Sequence, residues 1–159
     1  MMGQLEELLE MQRVLDEAIL KKHGNVYNDE IAEKVRIALF VELGEMMNEL
    51  PTYFKHWKFT AKDSREKALV EYVDALHFQM SLFNHYRLNI SDVPDYDKCI
   101  ENFSTLSHKL RLCNSCYDKV EGITKLFSIG NYLSFTWDEI YKAYKAKNQV
   151  NYERLANGY

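Results

Sequence analysis

Residues 38–47 read Ala-Leu-Phe-Val-Glu-Leu-Gly-Glu-Met-Met, and residues 69–76 read Leu-Val-Glu-Tyr-Val-Asp-Ala-Leu. In each stretch two acidic residues stand three positions apart within a largely apolar run. Because residues i and i+3 lie on one face of an α-helix, each stretch predicts a helix that presents two carboxylates in the same direction. The four acidic residues are Glu42, Glu45, Glu71 and Asp74.

The two acidic stretches are separated by a connector, Thr52 to Lys62, that follows Pro51 and is rich in aromatic and basic residues. So short a connection predicts that the two helices are antiparallel neighbours. At a rise of about 1.5 Å per residue, the two acid pairs then lie within about 4.5 Å of the same level. The sequence therefore predicts a central antiparallel helix pair on which four carboxylates converge.

Four carboxylates in one apolar site cannot all stay ionised, because uncompensated like charges in a low dielectric are costly. They must take up protons or bind cations. A ligand set of oxygens alone favours Mg²⁺, with Mn²⁺ as a substitute, over zinc. Such a site holds a polyphosphate and positions a metal-bound water for attack on phosphorus. The sequence leaves one alternative open, in which both acid pairs are solvated on helix surfaces.

The remainder of the chain is also typical of helical proteins. Its 159 residues include 6 Gly and 2 Pro, fewer turn-forming residues than sandwiches or barrels contain. We predict an all-α helical bundle that forms a single domain over residues 1–159. The first predicted helix ends near His23-Gly24. Four more are predicted: from Asn28 or Asp29 to about Leu50, from Asp63 or Ser64 to near Arg87, from Tyr96 to Tyr117, and from Thr136 to about Ala156.

Two apolar segments carry further expectations. The stretch from Ile37 to Val41 is apolar on every face of its helix, which predicts a position at the centre of the bundle. A second, short apolar segment is bracketed by Gly122 and Gly130.

Charge and cysteine usage exclude several classes of partner. A net charge of −4 argues against nucleic-acid binding, and no apolar run reaches the ~20 residues of a membrane span. The stretch from Met1 to Leu9 is acidic and has no basic residue, which is unlike a signal peptide. Three cysteines, an odd number, indicate free thiols in a reducing compartment. We therefore expect a cytoplasmic protein that binds neither nucleic acid nor membrane.

Four residues close to the acids are candidates for a ligand pocket. His77 and Phe78 follow Asp74 by three and four positions, which places an imidazole and an aromatic ring one helical turn from the acids. Trp57 in the connector could stack on a base, and Lys58 follows it. Each also has an ordinary structural explanation: the three rings could pack in the bundle, and Lys58 could be a surface lysine.

Several motifs together resemble one protein family. They are Glu-x-x-Glu at 42–45, Phe-Lys-His-Trp-Lys at 54–58, Glu-Tyr-Val-Asp-Ala-Leu-His-Phe at 71–78, Phe-Thr-Trp-Asp-Glu at 135–139, the stretch 143–154 and the closing Gly158-Tyr159. The pattern resembles the dimeric all-α dUTPases of the MazG-like nucleoside-triphosphate pyrophosphatase superfamily, in the form seen in Gram-positive bacteria and their phages. The resemblance spans residues 5–85 and 118–159, and residues from about 86 to 117 are an unmatched helical insert.

The resemblance implies a role for each candidate residue. The implied Mg²⁺ ligands are Glu42, Glu45, Glu71 and Asp74. The implied phosphate-binding residues are Lys147, Asn151, Arg154 and, as a weaker candidate, Lys58. The residues implied to line the uracil and deoxyribose pocket are Gln12, Asp16, Trp57, His77 and Phe78. The resemblance further implies a homodimer whose active sites draw on both subunits.

Two residues depart from the family pattern. Asp16 stands where some members carry Asn; a carboxylate accepts a hydrogen bond from uracil N3–H but repels a carbonyl oxygen. Leu155 stands where the closing motif usually has Gln. Neither departure affects the four acids.

The resemblance also implies an activity. This is the Mg²⁺-dependent hydrolysis of dUTP, and of dUDP, to dUMP, with release of pyrophosphate or phosphate through a metal-activated water. Glu45 is our candidate for the group that takes the proton. Two alternatives stay open: a related pyrophosphatase with another base preference, and a non-enzymatic helical interaction protein. A di-iron bundle is excluded because it requires Glu-x-x-His pairs, which the acid positions do not form.

Overall fold

The computed structural model describes residues 1–101 and 104–158. In these residues the chain forms α-helices and short 3₁₀ helices and contains no strand, which confirms the all-α prediction. The α-helices are α1 (Met2–Lys22), α2 (Asp29–Asn48), α3 (Arg65–His85), α4 (Leu106–Ser115), α5 (Val120–Tyr132) and α6 (Trp137–Ala156). The 3₁₀ helices are Pro51–Tyr53, Ile90–Asp92 and Tyr96–Lys98. Tyr159, quoted above in the closing motif, lies outside the described residues.

The acidic residues lie on α2 and α3, which pack more extensively than any other pair of helices. α2 begins after Asn28, whose side chain accepts a hydrogen bond of 2.9 Å from the Ile31 backbone N–H. The two ends of the connector meet where the Ser64 backbone N–H donates to the Glu49 carbonyl at 2.8 Å. The chain therefore turns back on itself, and α3 returns along α2 in the antiparallel direction.

α3 is the most deeply buried helix of this pair, because it packs against α1, α2, α5 and α6. Tyr72, Leu76 and Met80 are fully buried on it. Burial of an apolar side chain of this size stabilises a fold by about 1.5–3 kcal/mol. The acids of α3 thus project from a helix whose position is fixed by the core.

The prediction that the stretch from Ile37 to Val41 lies at the centre of the bundle is wrong. Ile37 is 56% exposed, Phe40 64% and Val41 46%, whereas Leu39 is fully buried. α2 packs with one face, mainly against α3, so its other face remains at the surface of the chain. We call the exposed apolar surface formed by Ile37, Phe40 and Val41 the α2 face.

The helix predicted from Tyr96 to Tyr117 is also wrong in its extent. The structure has the 3₁₀ turn Tyr96–Lys98 and the shorter helix α4, and residues 102 and 103 between them lie outside the described part. The buried Tyr96 ring packs against the rings of Phe127 and Trp137, with centroids 5.5 and 5.8 Å away. This inward packing holds the chain in a turn at the place where a helix was predicted.

The apolar segment predicted between the two glycines forms part of α5, and both glycines lie inside this helix. A Cβ atom at Gly130 would lie 2.6 Å from the Tyr96 hydroxyl oxygen, and one at Gly122 would lie 2.5 Å from the Cys116 carbonyl oxygen. Glycine therefore marks close packing here and does not mark a helix boundary.

α6 has the ends that the sequence predicts. The Thr136 hydroxyl accepts a hydrogen bond from the Glu139 backbone N–H, and the Glu139 carboxylate accepts one from the Thr136 backbone N–H at 2.8 Å. α6 packs against α1 and α3, which carries its C-terminal half to the acidic residues. No helix in the described residues combines the length and the apolar character needed to cross a membrane.

Candidate active site

Three of the four acids form a compact cluster. Glu42 and Glu45 on α2 and Glu71 on α3 each offer a carboxylate oxygen, and these oxygens lie within 4.8 Å of one another. Glu42 and Glu71 are partly buried, whereas Glu45 is exposed. The spacing and the all-oxygen donor set suit a hard divalent cation such as Mg²⁺ or Mn²⁺. We call these three residues the carboxylate cluster.

Two members of the carboxylate cluster, Glu42 and Glu71, are unfavourable as anions in the metal-free protein. Burial, together with the negative charges of Asp74, Glu45 and Glu71, raises the pKa of Glu42 to about 7. Burial, followed by the charges of Asp74 and Glu45, also raises the pKa of Glu71. The positive charge of Lys147 opposes both shifts. Glu42 and Glu71 therefore hold protons more readily than a solvated acid does, unless a cation takes the place of the protons.

Asp74 lies beside the carboxylate cluster but has a cationic partner of its own. The Lys147 ammonium donates a hydrogen bond to Oδ2 of Asp74, and the two side chains are 20% and 13% exposed. The sequence predicted that four carboxylates converge; the structure brings three of them together and pairs the fourth with α6. Asp74 still acts electrostatically on Glu42 and Glu71.

A cavity of about 380 Å³ opens next to these acids. Along α3 it is lined by Asp74, His77 and Ser81, a span of about 10 Å at the helical rise. α6 forms another wall with Lys147, Asn151 and Arg154. The predicted site residues that line it are Gln12, Asp16, Glu42, Asp74, His77, Phe78, Lys147, Asn151 and Arg154.

Gln12 is the centre of a buried hydrogen-bond network in this cavity. Its amide oxygen accepts from the Tyr144 hydroxyl at 2.6 Å and contacts Nδ1 of His77 at 2.7 Å. Because an amide oxygen can only accept, the hydrogen atom must lie on Nδ1 of His77. The amide nitrogen of Gln12 donates to Oδ1 of Asp16 at 2.8 Å. The network therefore fixes the orientation of the amide and the tautomer of the imidazole.

His77 is consequently a neutral hydrogen-bond acceptor. Burial and, as a smaller effect, the nearby charge of Lys147 lower its pKa to about 3. The ring stacks on Tyr144 with centroids 3.8 Å apart. Its Nε2 is buried and has no hydrogen-bond partner among the described residues. A ligand in the cavity can therefore satisfy this nitrogen by offering an N–H or O–H group.

Asp16 is the second acceptor at this end of the cavity. Burial raises its pKa to about 6, against the hydrogen bonds from Ser81 and Gln12, which lower it. Ser81 in turn lies 2.8 Å from the Tyr27 hydroxyl. Sequence reasoning missed Ser81, Tyr27 and Tyr144; Ser81 is four positions after His77 on one helix face, a signal that could have identified it. Tyr27 lies in a connection and gave no such signal.

Trp57 and Lys58 are predicted site residues that do not line this cavity. Trp57 is 63% exposed and contacts His56 edge to face, with ring centroids 5.0 Å apart. Lys58 is also exposed. Within one chain, the connector therefore does not bring these two residues to the cavity.

A sequence model of a family described as dUTPase matches residues 4–159 of the chain. The chain belongs to the dUTPase family. Together with the helical fold, the match makes this protein a dUTP diphosphatase of the all-α type, a hydrolase. No curated protein matches the chain. Family membership removes the alternative of a non-enzymatic interaction protein. The matched range also includes residues 86–117, for which the motifs gave no resemblance.

The residues that line the cavity suit a dUTPase. A nucleoside triphosphate has an anionic part and a neutral, hydrogen-bonding part, and the cavity is lined by groups for both. Lys147 carries positive charge beside Asp74, and Arg154 lies on the same α6 wall, whereas Gln12, Asp16 and His77 form a polar network with hydrogen-bond acceptors.

We expect the metal-free dUTPase to lose stability, relative to its Glu42→Gln variant, as the pH rises from 5 to 8. Folding raises the pKa of Glu42 from 4.5 to about 7. The stabilisation that Glu42 gives the folded protein is therefore complete below pH 4.5 and is lost as the pH rises through about 7. After allowance for solvent screening, the relative loss is about 1 kcal/mol. Urea denaturation of both proteins in chelator measures it.

The comparison with the variant is needed because His77 acts in the opposite direction. The pKa of His77 falls on folding, so the stabilisation that it gives the folded state is lost, in either protein, as the pH drops below about 6.5. Saturating Mg²⁺ should remove the relative loss at pH 8. A difference between the two proteins that does not change with pH would contradict the electrostatic description of the carboxylate cluster.

Proposed function

We propose that this dUTPase hydrolyses dUTP, and also dUDP, to dUMP in a reaction that requires Mg²⁺, with Mn²⁺ as a substitute. The observation that carries the proposal is the carboxylate cluster beside a cavity with basic residues on its α6 wall. When bound, Mg²⁺ would neutralise charge on the phosphates and lower the pKa of a water molecule, so that the water can give up a proton and attack phosphorus. Glu42, Glu45, Glu71 and Asp74 would hold it.

The side chains of α6 and α2 have distinct roles in the proposed reaction. Arg154 and Lys147 bind phosphate oxygens through charge-assisted hydrogen bonds, and Asn151 donates from its amide. Glu45, the exposed member of the carboxylate cluster, accepts the proton that the attacking water releases. Its exposure allows the proton to pass on to solvent.

The Gln12 network selects the nucleoside in this proposal. The neutral Nε2 of His77 and the carboxylate of Asp16 accept hydrogen bonds, and the second amide hydrogen of Gln12 donates one. A uracil deoxynucleoside offers the donors N3–H and 3′-OH for the two acceptors, and a carbonyl oxygen for the one donor. Phe78 supplies an apolar contact for the ring. A site built from buried polar groups rejects ligands that leave those groups unpaired.

The experiment that tests the activity is a hydrolysis panel of dUTP, dUDP, dCTP, dTTP and UTP, with Mg²⁺, with Mn²⁺ and with chelator. We expect turnover of dUTP and dUDP in either metal and none in chelator. Faster turnover of dCTP or dTTP than of dUTP would favour the alternative of a related pyrophosphatase with another base preference. Full activity in chelator would contradict the metal-dependent mechanism.

We also propose that the enzyme is a homodimer, of the type found in Gram-positive bacteria and their phages, and that it is cytoplasmic. The exposed α2 face and the exposed Trp57 support a second copy as the partner. Docking of that copy would bury the α2 face and could bring the connector, with Trp57 and Lys58, to the partner's cavity. The cytoplasmic location is supported by the three free cysteines.

We expect Phe40→Asp to convert the dimer to a monomer and to lower dUTP hydrolysis at least about tenfold. A carboxylate at the centre of a buried apolar interface remains unpaired, which costs several kcal/mol. Light scattering after size-exclusion chromatography measures the mass, and the control is Val26→Asp, at an exposed position outside the α2 face. A Phe40→Asp protein that is still dimeric would place the interface elsewhere.

A further inference from the structure

Lys147 contacts an acidic residue and also lines the cavity. Its ammonium donates to Asp74, while its side chain shares one wall of the cavity with Asn151 and Arg154, about one and two helical turns further along α6. The ion pair is mostly withdrawn from water, since the two side chains are 20% and 13% exposed. It is therefore stronger than a typical solvated surface pair.

The position of Lys147 is comparable with that of a metal ion in an acidic site. Its charge acts on Glu42 and Glu71 in addition to Asp74. The three carboxylates that lie within 4.8 Å of one another do not include Asp74, which Lys147 holds on the α6 side. The Oδ2 atom of Asp74 can join the other three carboxylates as a metal ligand only if its contact with Lys147 is weakened.

We propose that Lys147 is a surrogate cation, which holds Asp74 in the metal-free enzyme and is displaced when a divalent cation binds. The inference rests on the proposed function, because it takes the four acids as the Mg²⁺ site. Once displaced, the ammonium regains an anionic partner when phosphates enter the cavity between Lys147 and Arg154. Metal and nucleotide must then bind cooperatively, and Lys147 is the positioning residue that couples them.

The test measures Mg²⁺ affinity by titration calorimetry, with and without the non-hydrolysable analogue α,β-imido-dUTP. Without nucleotide, we expect Lys147→Met to bind Mg²⁺ about tenfold more tightly than the wild type, because the competing cation is gone. We expect the analogue to raise the Mg²⁺ affinity of the wild type about tenfold or more and that of the variant much less. A residue that only binds phosphate would leave the nucleotide-free affinity unchanged.

Lys142→Met is the matched control. Lys142 lies on the same helix, and its ion pair with Asp138 is exposed, so we expect wild-type Mg²⁺ affinity. Lys147→Arg keeps the charge and should also bind Mg²⁺ like the wild type. If Lys147→Met does not fold, as judged by circular dichroism, Lys147→Gln serves the same purpose.

Two outcomes separate this inference from the function on which it rests. Equal or weaker nucleotide-free Mg²⁺ affinity in Lys147→Met, in an enzyme that hydrolyses dUTP with Mg²⁺, would overturn the surrogate role alone. A wild-type protein that binds no Mg²⁺ with or without the analogue would overturn the metal site and the surrogate role together.

Discussion

Glu42→Gln is expected to lower dUTP hydrolysis by about a thousandfold or more while the protein stays helical. Glu42 is the one acid that belongs both to the carboxylate cluster and to the lining of the cavity. An amide oxygen carries no net charge, so the variant would bind Mg²⁺ weakly and place it poorly beside the phosphates. Steady-state turnover at saturating Mg²⁺ and the far-ultraviolet circular dichroism spectrum measure the two effects.

Glu33→Gln is the matched control for this substitution. Glu33 lies earlier on α2 and forms an exposed ion pair with Arg36, so its loss should leave turnover unchanged. Activity and stability should change in opposite directions in Glu42→Gln. The substitution lowers turnover, but it also removes an unfavourable, partly buried charge and should stabilise the metal-free protein at pH 8. Near-normal turnover in the variant would show that Glu42 is not a metal ligand.

The fold was largely predictable because its helix signals are local. The Thr136 and Glu139 capping box and the Asn28 cap mark the beginnings of two helices in the sequence itself. The spacing of the acids on the two facing helices predicted the carboxylate cluster in the same way, since helical geometry fixes which residues share a face.

The errors arose where tertiary contacts decide the structure. An apolar stretch such as Ile37 to Val41 looks the same in sequence whether it lies in the core or stays exposed on the surface of the chain. The Tyr96 turn depends on Phe127 and Trp137, which come about thirty or more residues later, so no local pattern could reveal it. The contact between Lys147 and Asp74 was hidden for the same reason, because it joins helices that are distant in sequence.

Replacement of Gln12 by Leu is expected to lower kcat/KM for dUTP about a hundredfold to a thousandfold and to destabilise the fold. The amide oxygen of Gln12 is the acceptor for Tyr144 and His77, and its nitrogen is the donor to Asp16. An apolar side chain leaves these buried groups unpaired, at about 1–3 kcal/mol for each group that water cannot reach. His77 also loses the contact that fixes its tautomer, so its Nε2 is no longer held as an acceptor.

Two measurements separate a loss of selection from a loss of fold in this variant. Urea denaturation measures the free energy of unfolding, and the ratio of kcat/KM for dUTP to kcat/KM for dCTP measures base selectivity. Gln149→Leu, at an exposed position on α6, is the control and should change neither quantity. If Gln12→Leu weakened the fold but kept the wild-type preference for dUTP over dCTP, the network would be structural and base selection would have to reside elsewhere. If the preference for dUTP falls, the Gln12 network takes part in base selection, because both substrates meet the same folded enzyme and any unfolded fraction cancels from the ratio.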